Sequence, residues 1–248
     1  MYQHQQTFAG RLSIIVVASS LLISSPASGQ SIPVPNGSFE NPKPPLGLPV
    51  SLQIDSWIRG PKPDFIVLPE GAFWEQTSGL FPNTPAGRFD HINNMDGAQA
   101  AYMFALPGVS LYQSLDAVFE TGKSYNLSFG ILGGGNITEG SLFEASLYYM
   151  SDAGAPVTLA ANTLSFSQAG FPTITDLVTH SVVLGEVQAS DAWAGKSIGV
   201  QLLSKFGTGS GYWDVDNVRL EAVPEPGTLA ICGVGLLSIW MRRRSLKH

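Results

Sequence analysis

The chain has 248 residues and a formal net charge of −6, and 44% of its residues are hydrophobic. Between residues 30 and 221, eight Lys and Arg stand against 18 Asp and Glu, while the other five basic residues lie near the two ends. A surface with this excess of acid repels nucleic acid and anionic lipid, which excludes a polybasic binding role.

The first 29 residues are typical of a secretory signal peptide. Arg11 precedes the apolar run 12–23, and Ala27 and Gly29 are small residues of the kind that precede a cleavage site. We therefore predict an exported protein whose mature chain begins at Gln30. An uncleaved N-terminal anchor is disfavoured because the run is short and no cation follows it.

The span 30–221 is long enough for one domain with a sizeable core and too short for two comfortable ones. Its stability cannot come from disulfides, because Cys232 is the only cysteine and lies outside this span. We predict one exported domain that is held by an apolar core, with a metal ion as a possible addition.

The beginning of this domain is rich in proline and glycine. Proline excludes regular helix over most of residues 32–49, so we expect an extended segment with one short strand near Ser38–Glu40. From there to Asn94, short apolar pieces alternate with turn residues, which predicts short strands and long loops.

The rest of the domain alternates between apolar and polar residues, as half-buried strands do. Tyr125, Leu127, Phe129 and Ile131 share one side of the segment 124–131. The same pattern appears in 143–149 and 198–202, and less regularly in 177–184. No long apolar period of 3.6 residues occurs, so the sequence predicts an all-β sandwich.

The closing strand, 212–220, changes parity in its middle. Trp213 and Val215 share one face by alternation, but Val218 and Leu220 fall on the opposite parity. Keeping all four side chains in the core requires one extra residue near Asp216 and Asn217. We therefore predict a β-bulge there, which turns an acidic side chain out of the ladder.

Two glycine runs are expected to be turns. Residues 207–211 lack the Lys-Ser/Thr ending and the following helix of a phosphate loop, so they predict a hairpin loop. Residues 133–135 are three consecutive glycines, which also favours a turn.

Sugar rings bind to aromatic faces that amides and carboxylates flank, so aromatic, amide and carboxylate side chains on outward faces and loops are the candidates. In the strand 143–150, alternation places Glu144 and Tyr148 outside. The candidate ligand-binding residues are Trp74, Tyr102, Tyr112, Gln113, Glu144 and Tyr148. Core filling is the alternative for the tryptophans, and it is favoured for Trp57 and Trp213.

The sequence contains no recognisable catalytic motif. The domain has two histidines, His91 and His180, and neither belongs to a hydrolase or zinc-enzyme pattern. Paired carboxylates could run glycoside hydrolysis, but their separation is not readable from sequence. We therefore predict a protein that is not an enzyme, with a glycoside hydrolase as the lower alternative.

Motifs at both ends of the domain resemble those of galactose-binding-like jelly rolls, which include carbohydrate-binding modules. The motifs are Asn36–Glu40 at the start and Trp213–Leu220 at the end, with Asp96-Gly97, residues 111–113 and residues 122–125 between them. The resemblance implies a jelly-roll sandwich with neighbouring first and last strands.

The same resemblance implies a structural calcium ion. In that family a carboxylate after the opening Phe and an Asp of the closing strand hold the ion together with backbone carbonyls. In this sequence those positions are Glu40 and Asp216, and Asp214 could assist. Calcium requires six to eight oxygens, so other groups must complete the site. The alternative is that both acids bind loop amides.

Residues 222–248 resemble the PEP-CTERM sorting signal of Gram-negative bacteria. The signal comprises Val223, Pro224, Glu225 and Pro226, an apolar run 227–241, and the cluster Arg242, Arg243 and Arg244. The run predicts a transmembrane helix about 22 Å long, with the arginines on the cytoplasmic side. The resemblance implies cleavage by an exosortase-type membrane protease. An ordinary C-terminal anchor is the alternative.

Together these patterns predict a protein of the cell surface or extracellular matrix that passes through an inner-membrane intermediate. Its expected partner is extracellular polysaccharide, bound without catalysis. A purely structural envelope protein that binds no specific ligand is the rival hypothesis.

Overall fold

The computed structural model describes residues 29–224, which form a sandwich of two antiparallel sheets. This confirms the predicted all-β sandwich. Within the described residues, no helix is long and apolar enough to cross a membrane. The predicted signal peptide and C-terminal transmembrane helix lie outside the described range, apart from Gly29 and residues 222–224.

Eleven strands and one short 3-10 helix, Trp74–Thr77, make up the described part of the chain. The strands are β1 Gln30–Ile32, β2 Ile58–Arg59, β3 Ser78–Pro82, β4 Gln99–Phe104, β5 Ser110–Val118, β6 Lys123–Gly134, β7 Leu142–Met150, β8 Pro156–Ser165, β9 Val178–Leu184, β10 Ser197–Phe206 and β11 Tyr212–Pro224.

The strands are shared between a six-stranded and a five-stranded sheet. The first has the order β3-β4-β11-β6-β9, with β1 paired to β11, and the second has the order β2-β5-β10-β7-β8. Gln30 lies opposite Ala222, so the first and last strands are neighbours, as the resemblance to jelly rolls implied.

The predicted strands form the centre of both sheets, and their apolar faces meet between them. Tyr125, Leu127, Phe129 and Ile131 of β6 are buried, and so are the inward residues of β7 and β10. Trp57 and Trp213 are buried in the core, which is the role that the sequence favoured for them. The alternation therefore predicted both the strands and their inner faces correctly.

The β-bulge in β11 is confirmed. The pairing register between β11 and β6 shifts between Asp216 and Arg219, and Asn217 has a positive φ of 58°. On either side of it, Trp213, Val215, Val218 and Leu220 are all buried. The extra residue thus restores the inward parity that the sequence required.

Three local predictions were wrong. Ser38–Glu40 is not a strand, because the Asn36 side chain bonds the backbone of Asn41 and closes a turn. Residues 207–211 are a loop but not a hairpin, because β10 and β11 belong to different sheets. Gly133 and Gly134 end β6 and are not part of a turn.

Candidate functional site

A cavity of about 680 Å³ lies on the outer face of the six-stranded sheet. Alternation along β11 produces it, since Trp213 and Val215 point into the core while Asp214 points to the opposite side. The residues that bound this cavity are mostly aromatic or aliphatic, and Asp214 is the buried acid among them.

The floor of the cavity consists of two rows of residues that the strand register places side by side. Asp214 lies opposite Tyr102 of β4 and Leu132 of β6. In the next row, Tyr212 lies opposite Phe104 and Gly134. Phe81 of β3 continues the aromatic surface at the edge.

Two glycines leave room for the tyrosine rings of the floor. A Cβ at Gly134 would lie 2.5 Å from Cε2 of Tyr212, and one at Gly79 would lie 2.8 Å from the hydroxyl of Tyr102. Any other residue would force these rings to move. The predicted turn at residues 133–135 is therefore partly a strand whose glycines shape the cavity.

Two loops form the roof. The loop between β3 and β4 supplies Phe89 and Ile92, and the loop between β8 and β9 supplies Ile174. The loops bind each other through the Asn94 side chain, which pairs with the backbone N–H and C=O of Leu177 at 2.7 and 2.9 Å. These bonds hold the roof over the sheet.

Asp214 is the most unusual group of the site. Its residue is 6% exposed, and its Oδ1 has no hydrogen-bond partner among the described residues. Burial raises the pKa of its carboxyl to about 8. A carboxyl in such surroundings keeps its proton near neutral pH and can donate it to a bound molecule.

The phenols beside Asp214 stay neutral. The pKa of Tyr212 is raised by burial first, and then by the negative charges of Asp214 and Asp90. Burial likewise raises the pKa of Tyr102, against the opposing effect of Arg59. An aromatic cavity with one proton donor can protonate an apolar molecule and stabilise the resulting cation on its ring faces.

The structure does not bring the six predicted ligand-binding residues together. Tyr102 alone lines the cavity. Tyr112, Glu144 and Tyr148 lie on the outer face of the five-stranded sheet, where Gln201 and Gly199 of β10 separate β5 from β7. Glu144 accepts hydrogen bonds there from Lys205 and Thr163.

The other candidates are buried. Trp74 is 8% exposed and donates its indole N–H to the Gly60 carbonyl at 2.7 Å, so its ring offers no open face. Gln113 is buried and donates to the Pro35 carbonyl. Tyr148 has the predicted outward parity but is only 4% exposed, and its hydroxyl donates to the Gln113 carbonyl.

Glu40 and Asp216, predicted to hold calcium, both bind the segment that leads into β4. Glu40 Oε1 accepts bonds from the N–H groups of Ala98 and Gln99, each at 2.8 Å. Asp216 Oδ2 accepts one from Asp96 at 2.7 Å, and its buried Oδ1 has no partner among the described residues. Burial first, and then the charge of Glu40, raises the pKa of Asp216 to about 8.

These two carboxylates form a small acidic pair, and the described residues contain no group of three or more His, Cys, Asp or Glu side chains placed to hold a metal. Asp214 lines the cavity. Any cation at Glu40 and Asp216 must therefore take most of its oxygens from the backbone or from water.

Sequence reasoning missed the main site. It did not select Asp214 as a ligand-binding or catalytic residue, nor Tyr212, Phe104 or Phe89. One signal was present, since a strand whose Trp213 and Val215 face the core must turn Asp214 outward. The roof that buries Asp214 on that outward side comes from two distant loops and has no signal in β11.

Comparison with known proteins assigns the domain to a protein family. A family model described as HpiC1 cyclase matches residues 30–221. A crystal structure of a cyclase from Fischerella sp. TAU is 25% identical, with a TM-score of 0.61, and the match covers 79% of this chain and 98% of that one.

Two further solved structures match parts of the chain. A cyclase from Fischerella sp. TAU in complex with 4-(1H-indol-3-yl)butan-2-one is 24% identical, with a TM-score of 0.59, and the match covers 79% of this chain and 98% of that one. A structure titled "CBM4 structure and function" is 17% identical, with a TM-score of 0.36 and coverage of 58% and 86%.

The C-terminal segment, residues 222–245, matches the PEP-CTERM protein-sorting motif. The predicted sorting signal is thus confirmed, and it implies an exported protein of the cell envelope that an exosortase processes. No curated protein matches the chain.

The cyclase matches contradict the prediction that the protein is not an enzyme. The prediction was wrong because it relied on the absence of local catalytic motifs. The buried acid of this cavity, Asp214, is enclosed by tertiary packing, and a lone aspartate has no sequence motif.

Proposed function

Because the chain belongs to the HpiC1 cyclase family, we propose that it catalyses the acid-assisted cyclisation of an unsaturated, largely apolar substrate in the cavity on its six-stranded sheet. One observation carries the proposal: the Asp214 carboxyl is buried among aromatic rings, with an oxygen that no described residue binds. A proton donor in that position is free to bond a molecule that enters the cavity, since no described residue accepts its proton.

The reaction conserves atoms and electrons. Asp214 donates its proton to an unsaturated carbon of the substrate, which leaves a carbocation on the substrate and a carboxylate on the enzyme. A second double bond or an aromatic ring of the same substrate attacks the cation and closes the ring through a new C–C bond. Loss of a proton from a neighbouring carbon to the Asp214 carboxylate then restores the acid, so product and substrate are isomers.

The surroundings of Asp214 suit this chemistry. The rings of Tyr102, Phe104 and Tyr212 offer negative faces to a developing cation. Asp214 itself is only 6% exposed, which limits contact of the proton donor with water that would otherwise capture the cation. A glycoside hydrolase is less well supported, because this mainly apolar lining has few groups that could bind sugar hydroxyls.

The proposal is tested by incubating the exported protein with a panel of prenylated or polyene-substituted aromatic compounds. We expect products of unchanged mass and altered retention time, whose NMR spectra show a new ring. A hydrated product, heavier by one water, would mean that the cavity does not protect the cation. Unchanged substrates across the panel, with the protein shown to be folded, would count against a cyclase.

We also propose that calcium binds at Glu40 and Asp216. The unpartnered Oδ1 of Asp216, the nearby negative charge of Glu40 and the mostly backbone surroundings fit a hard cation that prefers oxygen. When bound, calcium would supply structural cross-linking and no step of the reaction. The carboxylates themselves bind the N–H groups of residues 96, 98 and 99, and so position the start of β4, which carries Tyr102.

Calcium at 100 times its dissociation constant is expected to stabilise the protein by about 2.7 kcal/mol, because it binds the folded state only. For a chain of this size, that corresponds to a rise in melting temperature of roughly 5–10 °C over the chelated protein. Differential scanning fluorimetry with calcium and with chelator measures it. Asp216→Asn should abolish the shift, whereas Asp214→Asn, two residues away, should retain it. An equal shift in both variants would exclude this site.

As a second function we propose association with extracellular polysaccharide after export, with the C-terminal segment as a membrane tether until cleavage. Tyr112 supports the polysaccharide proposal, because it is half-buried on the outer face of the five-stranded sheet, next to Gln201. On a glycan array, Tyr112→Ala should lower binding about tenfold, which corresponds to the loss of about 1.4 kcal/mol of binding free energy. Phe104→Ala, in the cavity, is the control. If the folded wild-type protein binds no glycan on the array, the proposal is refuted.

A further inference from the structure

We propose that Asp90, in the roof of the cavity, binds a protonated amine of the substrate, so that the substrate class is an aryl or polyenyl alkylamine in its ammonium form. This inference rests on the proposed cyclase function and specifies what its cavity accepts. It is carried by the charges that line the cavity, the fixed position of Asp90 and the aromatic rings around it.

In the described part of the chain, the cavity is lined by acidic residues and by no basic ones. Among the described residues that bound it, Asp90 and Asp214 are acidic, and none is Lys, Arg or His. Asp214 is buried in the floor, whereas Asp90 is exposed and belongs to the loop between β3 and β4. A cavity with an exposed carboxylate and no cation attracts a positive group and repels a carboxylate or phosphate.

Asp90 is held in place by its own loop. The His91 N–H donates to the Arg88 carbonyl at 3.2 Å, and His91 Nδ1 lies 2.6 Å from the Thr84 carbonyl. Because a carbonyl only accepts, that ring nitrogen must carry a hydrogen. These two bonds of His91 hold the turn that contains Asp90.

The charge of Asp90 is largely available to a ligand. Its ion pair with Arg88 has a long N···O distance of 3.9 Å, and the two side chains are 41% and 62% exposed respectively. An exposed pair of this length contributes little. A ligand ammonium that also contacts ring faces can compete with it.

Aromatic rings surround the same part of the cavity. Phe89 precedes Asp90 in the loop, and Tyr212 lines the floor. The negative charge of Asp90 contributes to the raised pKa of Tyr212, after burial and Asp214, which places the two residues near each other. An ammonium between a carboxylate and ring faces gains both ionic and cation–π attraction.

The lining also disfavours phosphorylated substrates. A diphosphate would bring its negative charges beside the exposed carboxylate of Asp90, and none of the described lining residues is Lys, Arg or His.

The test compares three ligands that share one bicyclic ring, namely 2-(1-naphthyl)ethylamine, 2-(1-naphthyl)ethanol and 1-naphthylacetate, by isothermal titration with the exported protein at pH 7. We expect the amine to bind about 5- to 20-fold more tightly than the alcohol, and the acetate least tightly. Asp90→Asn should remove the preference for the amine. Arg88→Ala should increase it, because the competing ion pair is lost.

Asp116→Asn is the matched control, since it removes one exposed carboxylate on the opposite sheet and should leave the preference unchanged. Equal binding of amine and alcohol to the wild-type protein, or a preference that survives Asp90→Asn, would overturn the proposal. Neither result affects the cyclase function, which is judged separately by product formation and its loss in Asp214→Asn.

Discussion

Replacing Asp214 by asparagine is expected to lower the rate of cyclisation by about 10²–10⁴-fold, the usual contribution of a general acid. Asparagine has the same shape but cannot donate a proton to carbon. The carboxyl that it replaces is buried, has a pKa raised to about 8 and has an oxygen with no hydrogen-bond partner among the described residues. Single-turnover measurement of product formation separates this loss from any change in substrate binding.

The same substitution should not harm folding, and this distinguishes a chemical role from a structural one. The pKa of Asp214 is raised from 3.8 to about 8 in the folded state. Between these values the folded protein keeps a proton that the unfolded chain releases, so its stability falls as pH rises from about 4 to about 8. The Asn variant has no carboxyl at this position, so its stability does not fall for this reason as pH rises.

The free energy of unfolding of the Asn variant should therefore fall less steeply with pH, by up to about 1.4 kcal/mol per pH unit. Urea denaturation of the exported chain at several pH values measures the difference. Asp116→Asn, on the exposed face of β5, is the control for both activity and stability. Full activity in Asp214→Asn would show that another group supplies the proton.

Replacing Trp213 by alanine is expected to destabilise the protein by about 3–5 kcal/mol, as large-to-small changes at buried tryptophans do. Trp213 is fully buried, and its ring centroid lies 5.6 Å from that of Phe143, 6.1 Å from that of Phe166 and 5.9 Å from that of Phe171. Removing the ring opens a void between the sheets. Urea denaturation measures the loss.

Trp213→Phe is the matched variant for this position. It keeps an aromatic ring, and it removes an indole N–H that has no hydrogen-bond partner among the described residues. We expect a loss of less than about 2 kcal/mol. If alanine and phenylalanine destabilise equally, the aromatic cluster does not hold the sheets together. Because Asp214 follows Trp213 in β11, the alanine variant should also lose activity through misplacement of the acid.

The sequence by itself determined the layers of this protein and its destination. Alternation in β6, β7 and β10 identified the inner faces, because every second side chain of a half-buried strand faces the core and is apolar. The parity change in β11 located the bulge at Asn217, since four core residues could not otherwise share one face. The sorting motif at residues 222–245 was readable because its parts are contiguous.

Only the tertiary structure decided where the chemistry lies. The alternation in β11 places Asp214 on the side of the sheet that is expected to face solvent. Nothing in the sequence of β11 indicates that two loops cover that side. Tyr148 shows the same limit, because its outward position did not prevent its burial. Strand periodicity reports which side of a sheet a residue faces. Whether that side is open or roofed depends on residues such as Asn94 and Leu177, which are 83 positions apart in sequence.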